Sequence, residues 1–137
     1  DPEFTEGSIV KGHPFDMLRM TLSKSKGQLS NDSKLTFVFA HKTPFHPQSA
    51  HVMGEGDKEV SRQALKLMEL LEQKNVDGFF SGDLHFFAQF NSPNGNVKMT
   101  TVGAVAGERN FQGPRFAIVT VYNDYSWEVE DVEIRQR

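Results

Sequence analysis

The chain has 137 residues, 37% of them hydrophobic and 24% charged, with a formal net charge of −3 and no cysteine. This suits one globular domain with a single core, and the negative balance supplies no positive field of the kind that nucleic-acid binding relies on. Without thiols there is no disulfide framework and no thiolate metal site, and no apolar run approaches the roughly 20 residues needed to cross a bilayer.

Asp1-Pro2-Glu3-Phe4 reads as translated vector sequence, which leaves residues 5–137 as the protein proper. No basic-then-apolar leader follows, so the fragment reads as soluble, with its compartment left open. Residues 5–34 are polar apart from Phe15, Met17, Leu18, Met20 and Leu22, where partial alternation suggests a strand or two. Leu35 to Ala40 is nearly all apolar and rich in strand formers, the pattern of a strand buried on both faces. It stops at His41 and gives way to a loop, 42–56, with Pro44, Pro47 and two glycines. His46 and His51 in that loop are read as solvated histidines.

From Asp57 to about Gln73, Val60, Ala64, Leu67, Met68 and Leu71 recur at spacings of three and four, which predicts a helix capped by Asp57. Val76 to Phe80 is a second short apolar strand, ended by Ser81-Gly82-Asp83. Phe86 to Phe90 and Val97 to Val102 form a hairpin around Asn94-Gly95. A Gly-bearing loop, 103–114, precedes a closing hairpin of Arg115 to Tyr122 and Trp127 to Ile134. Phe86, Phe87 and Phe90 are assigned to the core or to sheet faces. The order strand, helix, strand, hairpins gives a mixed α/β layer.

Two strands end in polar residues, Phe39-Ala40-His41-Lys42-Thr43-Pro44 and Phe80-Ser81-Gly82-Asp83-Leu84-His85. In a strand-helix-strand unit the strands run parallel, so both C-terminal ends lie on one sheet edge, where α/β proteins bind ligands. His41, Asp83 and His85 are therefore the candidate metal ligands. A carboxylate and neutral imidazoles suit divalent ions such as Zn, Mn and Fe.

An apolar strand ending in His-x-x-Pro, a helix, and a strand ending in Gly-x-x-His resemble the later half of the calcineurin-like metallophosphoesterases. The resemblance covers about residues 35–134, and the loop from Gly103 to Gly107 with the hairpins around it is similar to that family's end. It implies an α/β fold, the C-terminal part of an αββα sandwich with a mixed sheet and closing hairpins. It further implies a phosphate-ester substrate hydrolysed with two divalent metal ions (Mn, Fe or Zn), His41 and Asp83 on one ion and His85 on the other. Arg109, in the Gly-bearing loop, is the candidate to pair with the phosphate in bidentate fashion.

Asp83 stands where the family has His in Gly-His-x-His, although Gly-Asp-x-His also occurs in alkaline phosphatases of the D type. The family's earlier motifs, Asp-x-His, Gly-Asp-x-x-Asp and Gly-Asn-His-Asp/Glu, have no match before His41. The chain alone is thus expected to be inactive. Half a sandwich also leaves an apolar sheet face uncovered, which favours a homo-oligomer. The rival expectations are a non-catalytic interaction module and a protein that binds a single metal ion.

Overall fold

The computed structural model describes residues 35–107 and 110–135. The vector-like start, the strand expected near 15–22 and Arg109 lie outside them. The described chain runs β1 (Phe37–Ala40), α1 (Lys58–Gln73), β2 (Gly78–Ser81), β3 (Ala88–Asn91), β4 (Lys98–Thr101), β5 (Arg115–Val121) and β6 (Trp127–Glu133). Mixed α/β content and both hairpins are as the sequence predicts.

Among the described residues four strands form one sheet in the order β1-β2-β4-β3, and β5 pairs with β6 in a second, antiparallel sheet. β1 is parallel to β2 and β2 to β4, whereas β3 returns antiparallel to β4. The larger sheet is therefore mixed. Parallel neighbours put Ala40 opposite Ser81. His41 and Gly82 thus leave the sheet side by side, and the Gly82 amide donates to the His41 carbonyl at 2.9 Å.

Asp57 starts α1 by accepting from the amides of Glu59 and Val60 at 2.9 and 3.1 Å. These bonds satisfy two of the helix's unpaired first-turn donors. Asp57→Ala is expected to cost about 1 kcal/mol of stability, measured by urea denaturation. Ala64, Met68 and Leu71 face inward at helical spacing. The core joins Met68 and Leu71 of α1 to Val38, Val76, Phe79, Val97 and Met99.

On the other sheet face the second sheet contributes Trp127. Trp127 of β6 packs edge-on to Phe37 at 5.1 Å and tilted to Phe80 at 6.0 Å, and Lys98 Nζ lies 5.0 Å from its centroid. A Cβ at Gly78 would meet Phe37 at 2.9 Å and Trp127 at 3.0 Å, so any larger residue would push the two rings aside. Trp127 does not reach all of β1. Phe39 stacks on Phe80 at 5.1 Å yet is 58% exposed, which corrects the expectation that this strand is buried on both faces. β1 is an edge strand among the described residues, and its second face is only partly covered. Among the described residues, no helix is long and apolar enough to cross a membrane.

Candidate functional site

The sheet edge brings together two of the three expected ligands. His41 Nε2 lies 3.5 Å from Asp83 Oδ1. Lys42 Nζ and His51 Nε2 lie 3.6 and 3.2 Å from Asp83 Oδ2. That oxygen is buried and has no aligned hydrogen-bond partner among the described residues, so its neighbours sit at ion-pair distance without satisfying it. An unsatisfied buried carboxylate oxygen is costly, while ion pairs to half-exposed partners return only about 0–1 kcal/mol each.

Asp83 and His85 both hold φ at +62°, in the left-handed region. Asp and His tolerate this region better than most residues, but it still stores strain, and strain collects at binding and catalytic sites. Leu84, 9% exposed, is the anchor between them. His85 does not join Asp83 in an ion pair or hydrogen bond among the described residues. It lines an open cleft of about 340 Å³ with Ser49, His51, Asp83, Leu84 and Phe86.

The loop between β1 and α1 supplies the residue that sequence reasoning missed. Thr43 is fully buried, its hydroxyl donating to the Phe45 carbonyl at 2.6 Å and its own carbonyl accepting from the Met53 amide at 2.8 Å. Gly54 closes against α1, where a Cβ would meet the Ser61 amide nitrogen at 2.3 Å. So folded, the loop sets His51 between two carboxylates, Nδ1 on Glu55 and Nε2 on Asp83. The i,i+4 spacing of His51 and Glu55 was the one local signal for this, and nothing local pointed to Asp83.

His46 is not solvated, contrary to expectation. It is 8% exposed, with its ring against Phe90 at 4.7 Å and Phe86 at 5.5 Å. Its Nδ1 accepts from the amides of Gln48 and Ser49 at 3.1 and 3.0 Å, which assigns the proton to Nε2. Burial lowers its pKa below the usual 6.5. Below about pH 6.5 the unfolded chain takes up this proton and the folded chain resists it. Stability from His46 is therefore complete above pH 6.5 and is lost as pH falls through the unfolded and then the folded pKa. Urea midpoints from pH 7.5 to 5 should fall more steeply for the native chain than for His46→Gln.

Two imidazoles and a carboxylate with a spare buried oxygen suit a borderline divalent ion in donor chemistry. Their present spacing does not complete a coordination shell: among the described residues, no three His, Asp or Glu side chains stand so as to hold a metal ion. Bringing them onto one ion requires side-chain rotation at His41 and His51, which are 55% and 52% exposed. Comparisons of the chain with protein-family models, curated proteins and solved structures find no match.

Proposed function

We propose that this chain carries one side of a divalent-metal site in a phosphate-ester hydrolase, as the C-terminal part of a calcineurin-like sandwich. The observation that carries the reading is the buried, unsatisfied Asp83 Oδ2 at the edge where the parallel strands β1 and β2 end beside His41. In this reading His41 and Asp83 hold one ion, His85 serves a second from the same cleft, and Arg109 meets the phosphate. Bound ions of this kind polarise phosphoryl oxygens and lower the pKa of water. The chain's own contribution is to fix the ligand backbone at a sheet edge and to add the Lys42 charge to its rim.

The meeting of His41, His51 and Asp83 supports a second reading, a single-ion site built from these three alone. Calorimetric titration of the metal-free chain with Zn²⁺ and with Mn²⁺ tests both. Saturable binding is expected, and a stoichiometry of one that depends on His51 and not on His85 selects the second reading. No saturable binding of either ion removes both. Hydrolysis of an aryl phosphate by the chain alone is expected to stay at the blank.

A further inference from the structure

We propose that Phe86 and Phe111 form a platform for a flat aromatic group on the ligand of the Asp83 cleft, so that the substrate class is an aromatic phosphate ester. This rests on the phosphate-ester reading above. Phe86 lines the cleft beside Asp83 and His85. Behind it the buried His46 ring packs edge-on at 5.5 Å. Phe111, just outside the residues that line the cleft, lies 5.5 Å from Phe86 with the two ring planes inclined by 44°.

Phe111 is 81% exposed, which leaves a large apolar ring in water that burial against a ligand would stabilise. The residues on either side of it are held in place. Asn110, 6% exposed, donates to the carbonyls of Ala104 and Gly113 at 3.1 and 2.6 Å and accepts from the Gln112 amide at 3.1 Å. Gln112 in turn accepts from the Phe87 amide at 2.7 Å and donates to the Phe87 carbonyl at 3.0 Å. The Ala104 amide donates to the His85 carbonyl at 3.0 Å. Asn110 and Gln112 are thus stitched to the segment that carries Phe86, which holds the backbone of Phe111 beside it.

Charge and shape then separate two parts of the site. Lys42, His41 and His51 meet at Asp83 and suit a phosphate, while Phe86 at the cleft wall and Phe111 against it suit a π face. A phosphate joined to a small aliphatic group would leave the rings unused.

The test measures the affinity of the Mn²⁺-supplemented chain for 1-naphthyl phosphate, methyl phosphate and 1-naphthol by NMR titration. The native chain should bind 1-naphthyl phosphate about tenfold more tightly than methyl phosphate, the scale of one aromatic stack. Phe111→Ala should bring the two esters to the same affinity, and Phe111→Trp should keep the preference. Equal affinities in the native chain, or a preference that survives Phe111→Ala, overturn the platform. So does a dimer that Phe111→Ala dissociates without changing either affinity, because the ring then serves association. If neither ester binds but 1-naphthol does, in a Phe111-dependent way, the platform stands and the phosphate reading fails. If no probe binds, both fail.

Discussion

Asp83→Asn is expected to weaken Zn²⁺ or Mn²⁺ binding by about 10–100-fold, read by calorimetry on metal-free protein. The substitution is nearly isosteric, and Asn tolerates the left-handed φ of +62° that residue 83 adopts, so the backbone is not put under new strain. What changes is the charge. The carboxylate is the point on which His41, Lys42 and His51 converge, and removing a ligand or the group that orders one costs at least that range in metal affinity. If Asp83 were only the hub of surface ion pairs, the same substitution would shift stability by no more than about 1 kcal/mol and leave metal binding untouched. His46→Gln is the control, because its ring is packed against Phe86 and Phe90 and bonds only to its own loop. Equal losses for Asp83→Asn and His46→Gln would defeat the assignment.

Phe79→Ala is expected to cost about 3–5 kcal/mol, a large share of the 5–15 kcal/mol that holds a domain of this size together. Phe79 is 0% exposed and sits in the cluster with Met68, Leu71, Val38 and Met99. Truncation there removes transfer energy and opens a cavity between helix and sheet that short four-residue strands have little freedom to close. Phe39, on the neighbouring strand β1 but 58% exposed and outside that cluster, should cost far less. The urea midpoint should drop sharply for Phe79→Ala, with the slope preserved if the transition stays two-state. A shift no larger than that of Phe39→Ala would mean that the core lies elsewhere.

The helix was legible because its signals are local: Asp57 two and three residues from the amides it caps, and Ala64, Met68 and Leu71 on one face. The strands were legible as runs of Phe, Val and Thr, and the first hairpin turn as Asn94-Gly95. The burial of individual faces was not. Phe37 and Phe39 look alike in sequence, and only the reach of Trp127, far along the chain, separates them. The pairing of His41 with Asp83 follows from parallel strands and could be anticipated, whereas the approach of His51 depends on how buried Thr43 folds its loop. His46 was misread for the same reason, since its two amide bonds come from its own turn but its burial comes from Phe86 and Phe90.

Trp127 is the chain's one tryptophan, and it sits where the two sheets meet. The hairpin β5–β6 closes over a short turn, with the Tyr122 amide bonded to the Ser126 carbonyl, so it can form within microseconds. The parallel ladder β1–β2 must first close a loop that spans the whole of α1, which slows its formation. Indole emission is sensitive to the neighbouring rings and to the Lys98 ammonium, and these arrive only when the hairpin docks. Fluorescence in refolding therefore follows the joining of the two sheets, while far-ultraviolet dichroism follows the formation of each.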